Sequence, residues 1–452
     1  MTNIDTAFTP QALADVLARL GVRPDTTLKI AFSGGLDSCV LLHALSRLRA
    51  PPALTLHALH VDHGLNVHSD EWARHVQQTC ERLKIPCTVE RVQVARVREH
   101  GVEDAARRAR YACLARHVKK GEVLLTAHQA DDQAETVMLQ LLRGTGVQGL
   151  AAMPEIMPFH AGRLVRPLLG FTREQLAAYA GREHLQWIDD SSNEDLRLSR
   201  NYLRHRVFPL LEAYWPGASR RIARSARMAA QAVELLDDLA LSDWNTCRHA
   251  PDALSVSALR RLSLPRQRNL VRYWLRRQGF LAPSAMHLDQ VLAQVVKEPR
   301  TRQAVIRWPG AEVHRYRDAL MAFKPRAEPD SGLRIRWNPQ DALEIPGVGI
   351  LSMEPARGDG LSRERIGQSP LTVGLRQGGE TCRLPGRAHH HKLKKLLQEA
   401  GVPPWERKRL PLVYVNDEIA AIGDRWVCEP YAARADEAAW KLRLEFVQEF
   451  HR

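Results

Sequence analysis

The sequence predicts an α/β protein: an amino-terminal domain with a parallel sheet, then a mainly helical domain and a small α+β domain. Up to about residue 142, short apolar runs alternate with amphipathic stretches, as in strands joined by crossover helices. From about residue 219 the alternation stops and Arg-rich helical segments follow, such as SRRIARSARMAAQAVELLDDLAL. Beyond residue 332, the strand-like pieces LPLVYV and EIAAIG accompany one basic helix, HKLKKLLQEAG.

Four strands and three helices are predicted in the first part of the chain. The strands are LKIAF, LTLHALHV, CTVERVQV and EVLLTAH. The helices are DSCVLLHALSRL, SDEWARHVQQTCERL and VEDAARRARYACLARHV, because their apolar residues recur at three- and four-residue spacing.

The length of the chain, 452 residues, exceeds what one hydrophobic core usually supports. We expect a catalytic domain over residues 1–218, a helical domain over 219–324 and a small α+β domain over 333–452. The stretch KPRAEPDSG, residues 324–332, is rich in Pro and charge and is typical of an inter-domain connection.

The chain is strongly basic, with 65 Lys and Arg against 51 Asp and Glu and a pI near 9.7. This balance favours a polyanionic partner, with nucleic acid first and an anionic membrane second. No apolar run approaches the roughly 18–20 residues that cross a bilayer, and MTNIDTAFTP lacks the features of a signal peptide. We therefore predict a cytoplasmic protein without a membrane partner.

The cysteines form no CxxC pair, which argues against a zinc ribbon, an iron–sulfur cluster and a disulfide framework. We expect scattered reduced thiols. The seven cysteines are Cys39, Cys80, Cys87, Cys113, Cys247, Cys382 and Cys428.

The most specific motif is SGGLDS, between the strand LKIAF and the helix that follows. Its glycines permit a tight turn and a close ligand, and free N–H groups at the helix start favour an anion. Neither GxxxxGK[ST] nor GxGxxG fits the loop, so it predicts a phosphate site of another kind. The predicted nucleotide contacts are Ser33, Gly34, Gly35, Leu36, Asp37 and Ser38.

Asp37 has two interpretations. A carboxylate beside a bound phosphate needs a divalent cation such as Mg²⁺ between them. Alternatively, Asp37 only caps the helix, since a Gly-Gly turn with a capping Asp is common at such junctions.

Motifs after other strands are expected at the same site, because open parallel sheets bind ligands beyond the carboxyl ends of their strands. VDHGL follows the second strand, HQADDQAET follows EVLLTAH, and RGTG comes at the end of the next helix. The acidic residues of HQADDQAET predict either a cation site or capping of the first helical turn; they are Asp131, Asp132 and Glu135. RGTG predicts either an anion-binding turn or a helix C-cap. The further predicted nucleotide contacts are Asp62, His63, His128, Arg143 and Gly144.

In EDAARRARY, Arg107, Arg110 and Tyr111 share a helical face. Two guanidiniums there suit a phosphate or developing negative charge, although a solvated basic face is the commoner fate of such runs.

SGGLDS resembles the PP-loop of the ATP pyrophosphatases, whose fold is an adenine nucleotide α-hydrolase-like, Rossmann-type sheet. Together with VDHGL, EDAARRARY, AHQADDQAET, RGTG and WIDDSSNEDLRLSRNYLRHRVFPLL, the set is similar to the tRNA(Ile)-lysidine synthetase family, and KLKKLLQEAGVPPWERKRLPLVYVNDEIAAIGDRWV extends the likeness to the carboxyl end. The resemblance implies ATP and Mg²⁺ as cofactors. It also implies a tRNA(Ile) with a CAU anticodon and free L-lysine as partners, and lysine ligation to C2 of cytidine 34 through an adenylated intermediate.

The resemblance also assigns roles to residues. Asp37, Arg107, Arg110 and Asp132 are the expected catalytic residues, and Asp37, Asp131, Asp132 and Glu135 the expected metal ligands. Both later domains are expected to bind tRNA, and the expected tRNA contacts are Arg200, Asn201, Arg204, Lys392, Lys394, Lys395 and Arg407.

Two other functions stay open on the sequence alone. A PP-loop tRNA sulfurtransferase shares the activation step, but it commonly needs the CxxC that is missing here. A non-catalytic RNA-binding protein would need only the fold and the basic surface. A homodimer is also left open, and His389, His390 and His391 are not expected to form one metal site, since adjacent residues point in different directions.

Overall fold

The computed structural model describes residues 7–48, 54–64, 68–92, 102–297 and 305–446. The chain divides into two compact units, Met1–Leu239 and Ala240–Arg452. The boundary lies within one long helix, Ala218–Cys247. The three domain boundaries inferred from the sequence stay a prediction.

A six-stranded sheet organises the first unit, in the order β3-β2-β1-β4-β6-β5. All neighbours are parallel except β5, which is antiparallel to β6. The strands are β1 Thr27–Ala31, β2 Thr55–Asp62, β3 Cys87–Arg91, β4 Val123–Leu125, β5 Ile156–Phe159 and β6 Gly162–Val165. The four predicted strands are confirmed, although the end of CTVERVQV lies outside the described residues; the β5–β6 hairpin was not predicted. The strand order reverses between β1 and β4, where such sheets form a ligand-binding crevice.

Helices cover this sheet, and the three predicted ones are confirmed as α2, α3 and α4. Leu28 and Ile30 of β1 are fully buried and share one core with Leu41 and Leu42 of α2. A 3-10 turn covers Ser191–Glu194 and a π-helical turn Leu203–Val207. The α-helices are α1 Pro10–Arg19, α2 Leu36–Arg47, α3 Ser69–Leu83, α4 Val102–Arg116, α5 Ala130–Leu142, α6 Val147–Leu150, α7 Arg173–Arg182, α8 Ser199–Tyr202, α9 Phe208–Tyr214 and α10 Ala218–Cys247.

The first part of the second unit combines helices with an antiparallel sheet in the order β7-β8-β11-β10-β9. The predicted helical segments are present, but the sheet was not foreseen. Trp274 is fully buried in this core and donates its indole N–H to the carbonyl oxygen of Asp252 at 3.1 Å. The elements are β7 Arg248–Ala250, β8 Ala253–Ser255, α11 Val256–Arg261, α12 Leu264–Arg277, α13 Ala285–Gln290, the π-helical turn Val291–Lys297, β9 Val305–Trp308, β10 Ala311–Tyr316 and β11 Ala319–Phe323.

The last part of the chain is an α+β arrangement, as predicted. Its main sheets have the orders β12-β16-β19-β20-β21 and β13-β14-β22-β15, beside the two-stranded pair β17-β18. LPLVYV and EIAAIG form β19 and β20, and HKLKKLLQEAG contains α15. The elements are β12 Arg334–Trp337, β13 Leu343–Ile345, β14 Gly349–Arg357, β15 Leu361–Ser362, α14 Arg363–Ile366, β16 Leu371–Leu375, β17 Thr381–Cys382, β18 His391–Lys392, α15 Leu393–Glu399, α16 Pro404–Arg407, β19 Pro411–Val415, β20 Glu418–Ile422, β21 Trp426–Val427, the 3-10 turn Glu429–Tyr431 and β22 Ala438–Phe446.

Among the described residues, every helix is too short or too polar to cross a lipid bilayer.

Candidate active site

The SGGLDS loop joins β1 to α2 at the crevice of the sheet. Gly35 is the N-cap of α2, and the first intrahelical hydrogen bond runs from Cys39 N to Gly35 O at 2.9 Å. The backbone N–H groups of Leu36, Asp37 and Ser38 precede that bond, so they form the free, positively polarised end of the helix. This is the geometry of an anion site.

The two serines of the loop hold each other. Ser33 Oγ and Ser38 Oγ are 3.1 Å apart, and Ser38 Oγ also accepts from Gly34 N at 3.1 Å and donates to Gly35 O at 2.9 Å. Ser33 is exposed, whereas Ser38 is buried. Ser38 therefore stabilises the loop from within, and Ser33 is the serine of the pair that is exposed.

Gly34 must be glycine here. Its φ is +86°, and a Cβ atom would lie 2.6 Å from Ile188 Cδ1 and 3.2 Å from Val76 Cγ2. The backbone N–H of Ile188 donates to Gly34 O at 2.9 Å. The segment WIDD, which contains Ile188, therefore packs directly on the loop.

The start of α5 lies on the other side of the crevice. A capping box closes this helix: Gln129 Oε1 accepts from Asp131 N at 2.5 Å, and Asp132 Oδ2 accepts from Gln129 N at 3.1 Å. Asp131 Oδ2 accepts from Arg173 N at 2.8 Å. These hydrogen bonds fix the orientation of both carboxylates at the start of α5.

Asp37 is the electrostatic centre of the crevice. Burial, and then the negative charge of Asp132, raise the pKa of Asp37 to about 7, against the opposing effect of Arg173 and Arg204. Among the described residues, Asp37 Oδ1 is buried and has no hydrogen-bond partner. A bound cation would supply the missing partner and reverse the repulsion between the two carboxylates.

Glu135 is already paired with arginine. It is 1% exposed; Arg204 donates from Nε to Oε1 at 2.7 Å and from Nη2 to Oε2 at 3.1 Å, and Arg200 Nε lies 3.6 Å from Oε2. Arg204 Nη2 also donates to Asp132 Oδ1 at 3.2 Å. The predicted metal role of Glu135 therefore competes with two guanidiniums. Within the described ranges, no three of the predicted acidic ligands bring their ligand atoms within 4.8 Å of one another.

The structure places Arg200, Asn201 and Arg204 in contacts within the protein, and their RNA contacts stay a prediction. Arg200 Nη2 donates to Thr136 Oγ1 at 3.1 Å, so both arginines bind α5. Asn201 is buried, and its amide donates to the carbonyl oxygens of Ser192 at 2.9 Å and Asp195 at 3.1 Å. The segment SRNYLRHR fastens the preceding loop to α5, because its polar groups are used within the protein.

Asp62, at the end of β2, is a structural residue in this geometry. It is 6% exposed; Oδ1 accepts from Gly64 N at 2.8 Å and Oδ2 from Arg91 Nε at 2.9 Å. Burial alone would raise the pKa of Asp62, but these hydrogen bonds lower it. The charged carboxylate therefore stabilises its own turn, and the nucleotide contact of Asp62 stays a prediction.

His63 and His128 are neutral histidines that follow β2 and β4, the two strands on either side of β1. Burial, reinforced by Arg110, lowers the pKa of His63 to about 4, and Arg110 Nε donates to His63 Nε2 at 3.2 Å. Burial also lowers the pKa of His128 to about 4, and its Nδ1 lies 2.9 Å from Thr126 Oγ1. A neutral imidazole can donate to a base or ribose without adding charge.

Two predicted arginines and one unforeseen arginine line the same region. Arg107 and Arg110 are exposed, and Arg107 lies over the Tyr111 ring, with Cζ 5.0 Å from the centroid. Arg166 follows β6, is 4% exposed, and donates to Pro154 O at 2.7 Å. Among the described residues its Nε has no partner. A buried arginine at the carboxyl end of a strand is a functional signal, but the hairpin that carries it was not predicted.

Arg143 and Gly144 lie at the opposite end of α5 from the DD motif. The helix has 13 residues, so these ends are about 18 Å apart. Gly144 has a φ of +66° and donates its N–H to Leu141 O at 2.9 Å, and Thr145 N donates to Gln140 O at 3.2 Å. RGTG therefore forms a helix C-cap, one of the two interpretations of this motif, and its nucleotide contact stays a prediction.

Comparison with known proteins identifies the family. The PP-loop domain matches residues 8–211, the TilS substrate binding domain 254–321 and the TilS substrate C-terminal domain 371–444. The tRNA(Ile)-lysidine synthase of Alkalilimnicola ehrlichii is 45% identical over 429 residues, 94% of this chain and 95% of the relative. The chain belongs to the tRNA(Ile)-lysidine synthase family. The enzyme of that name from Coxiella burnetii is 40% identical and matches over 97% of both chains.

Two solved structures resemble parts of this lysidine synthase family member. One is the U34-tRNA thiolase NcsA from Methanococcus maripaludis with its [4Fe-4S] cluster. It is 19% identical in sequence, and the superposition covers 49% of this chain and 78% of that chain with a TM-score of 0.41. The other is a TilS C-terminal domain. It is 23% identical in sequence, and the superposition covers 26% of this chain and 98% of that chain with a TM-score of 0.22. Both likenesses are too distant to carry a functional assignment.

In the region that matches the TilS substrate C-terminal domain, the predicted basic residues fall into two groups. Lys392, Lys394 and Lys395 are exposed on and beside α15. Arg407 is half-buried, and its Nε donates to Val402 O at 2.7 Å. The side chains of these three lysines are open to solvent, where an anion can reach them. Arg407 instead uses one N–H group to stabilise the turn of this lysidine synthase domain in which it lies.

Proposed function

We propose that the protein catalyses ATP-dependent ligation of L-lysine to C2 of cytidine 34 in the CAU anticodon of tRNA(Ile). The products are lysidine, AMP and diphosphate, and the modified tRNA decodes AUA instead of AUG. The observation that carries the proposal is 45% identity to a tRNA(Ile)-lysidine synthase over nearly the whole length of both chains. The SGGLDS loop at the strand-order switch supports the ATP-binding part of it.

Bond formation follows in two steps. The C2 carbonyl oxygen of the cytidine attacks the α phosphorus of ATP, and diphosphate leaves. The neutral ε-amine of lysine then attacks C2, and AMP leaves with its oxygen while the amine proton goes to solvent or base. The free N–H groups at the start of α2 bind phosphate in the first step, and Arg107 and Arg110 stabilise negative charge at the phosphorus.

The residues around Asp37 fit a magnesium ion. Asp37 Oδ1 is buried without a partner among the described residues, and burial first, then the charge of Asp132, raise the pKa of Asp37. Asp37, Asp131 and Asp132 would hold Mg²⁺, which neutralises triphosphate charge when bound. We leave Glu135 out of this set, because Arg204 and Arg200 neutralise it already.

The proposal extends to partners and organisation. Free L-lysine and the CAU-anticodon tRNA are the substrates, and residues 219–324 and 333–452 contribute tRNA contacts through exposed basic groups such as Lys394 and Lys395. A homodimer and a cytoplasmic location complete it; light scattering and cell fractionation test these two. A sulfurtransferase is not favoured, since the relatives are named for lysidine formation.

The test is to incubate the protein with ATP, Mg²⁺ and tRNA(Ile) bearing CAU, adding each amino acid in turn, and to identify the modified nucleoside by mass. We expect lysine alone to be joined to cytidine, with one AMP per modification. Asp37→Ala should abolish AMP formation and leave tRNA binding intact. A sulfur-containing nucleoside, or unchanged AMP formation by the variant, would contradict the proposal.

A further inference from the structure

A cluster of three potential metal ligands lies outside the proposed ATP site. Within the described ranges, Glu90, Cys113 and His117 are the group whose ligand atoms all lie within 4.8 Å of one another. Glu90 is on β3, Cys113 is on α4, and His117 directly follows α4. The sequence gives no sign of this group, because the glutamate is more than twenty residues from the other two.

The local fold explains why the side chains converge. Cys113 and His117 are four residues apart, and His117 N donates to Leu114 O at 3.1 Å in a turn directly after the last helical residue, Arg116. Residues at i and i+4 share one helical face. That face is turned to β3, and His117 Nε2 lies 3.1 Å from Glu90 Oε1.

We propose that Glu90, Cys113 and His117 bind Zn²⁺. A thiolate, an imidazole and a carboxylate are all zinc ligands, and three protein ligands leave the fourth tetrahedral position to water. Tetrahedral geometry at these bond lengths separates ligand atoms by roughly 3.3–3.8 Å. Because the atoms of this group lie within 4.8 Å already, rotamer adjustments are enough to close the site.

The charges of the site match a divalent cation. A thiolate at Cys113 and the carboxylate of Glu90 carry two negative charges, and a neutral His117 adds none. The neighbouring cation, Arg116, has Nη2 3.9 Å from Glu90 Oε2 and a side chain that is 66% exposed, so it can turn into solvent. Zinc binding displaces the thiol proton of Cys113 and therefore strengthens as the pH rises.

The partial burial of the group favours specific binding over surface adsorption. Cys113 is 2% exposed, whereas the Glu90 and His117 side chains are 37% and 27% exposed. The thiol is therefore the most buried of the three ligands, and the other two side chains are partly open to solvent. A bound zinc would connect α4 to β3 through its bonds to Cys113 and Glu90. The helix α4 also carries Arg107 and Arg110.

The test uses the full chain, purified without a polyhistidine tag. His389, His390 and His391 are all replaced by Gln in every variant, because adjacent histidines that are exposed or partly exposed bind zinc adventitiously. After removal of metal with a chelator, zinc is titrated against a chromophoric competitor. We expect one tight site per chain, lost in Cys113→Ser and weakened at least tenfold in Glu90→Gln, which is exposed enough not to disturb folding.

Cobalt gives a spectroscopic signature that distinguishes this site from others. Co²⁺ held by a thiolate in a four-coordinate site shows a near-ultraviolet charge-transfer band and intense visible bands. Both should appear in the background protein, disappear in Cys113→Ser and persist in Cys247→Ser, which alters an equally buried thiol. Zinc binding that survives Cys113→Ser and Glu90→Gln, or cobalt spectra without the thiolate band, would overturn the proposal.

Discussion

Arg204 holds the carboxylate of Glu135 with two hydrogen bonds, Nε to Oε1 at 2.7 Å and Nη2 to Oε2 at 3.1 Å. Burial alone would lower the pKa of Arg204, but the charge and hydrogen bonds of Glu135 raise it, so the guanidinium stays charged. The pair joins the SRNYLRHR segment to the helix that begins with the DD motif. Arg204 therefore stabilises the fold next to the crevice.

We therefore predict that Arg204→Ala is destabilising. Removing one partner of a buried ion pair leaves the other charge unpaired, so the free energy of unfolding should fall by about 3 kcal/mol or more. Arg197→Ala is the control: its side chain is 90% exposed and pairs only with Asp195, so the change should stay within about 0.5 kcal/mol. Urea denaturation measures both. A stable Arg204→Ala variant with weakened tRNA binding would favour the RNA-contact role instead.

Gly34→Ala should abolish ATP binding. Gly34 and Gly121 both have a φ of +86°, so alanine costs about 1 kcal/mol of backbone strain at either position. A Cβ at Gly121 meets nothing within 4 Å, whereas one at Gly34 lies 2.6 Å from Ile188 Cδ1. Only the Gly34 variant must move the loop against WIDD.

Fluorescent ATP-analogue titration, beside thermal unfolding of both variants, separates these effects. A larger loss of stability in Gly34→Ala than in Gly121→Ala, with ATP binding lost only in Gly34→Ala, would support the loop geometry. Equal ATP affinity in the two variants would show that the contact with Ile188 has no role in shaping the site.

Asp37 should make the stability of the nucleotide-free protein fall as the pH rises. Its pKa is raised to about 7 in the folded state, so the folded protein binds the proton more tightly than the unfolded chain does. The penalty is absent below the unfolded pKa near 4, grows between pH 4 and pH 7, and is constant above. Three pKa units set an upper bound of about 4 kcal/mol.

Asp37→Asn removes this penalty. The variant should be more stable than the wild type by about 1–3 kcal/mol at pH 8, and the difference should shrink towards pH 5. Urea denaturation at several pH values, without nucleotide, measures it. A difference that does not vary with pH would mean that the carboxyl group is not perturbed by burial and Asp132.

Motif spacing predicted the strands, helices and phosphate loop of the first unit well, because periodicity and glycine placement are local properties. It did not predict which partner each polar group would choose. Asp62 and Asn201 were assigned to ligands, but the first binds Gly64 N and Arg91 and the second binds two backbone carbonyls. A motif records that a polar side chain is needed, not whether the protein or a ligand satisfies it.

The sequence also did not predict which residues become neighbours through the tertiary fold. The neighbouring Cys87 thiol, together with burial, raises the pKa of Cys80, and Cys382 does the same for Cys428, although neither pair is a CxxC. The β5–β6 hairpin, which carries Arg166, escaped prediction because its two strands have only four residues each and β5 contains Pro158. Such contacts depend on the tertiary fold, and composition or periodicity does not encode them.

Lys394 and Lys395 should contribute salt-dependent affinity for tRNA and nothing to the chemistry. Both are exposed on α15, while Leu393, Leu396 and Leu397 anchor that helix in its core. Replacing both lysines by Gln removes two potential phosphate contacts, so the slope of log affinity against log salt should fall by about 1.4–1.8. Lys119→Gln with Lys120→Gln is the control, since these adjacent lysines are equally exposed and give the same change in charge.

Filter binding of tRNA between low and moderate salt measures the slopes, and single-turnover AMP formation at saturating tRNA measures the chemistry. Equal slopes in the two double variants would show that net charge alone, and not the surface of α15, sets the affinity; a lower rate at saturating tRNA would assign these lysines to substrate positioning.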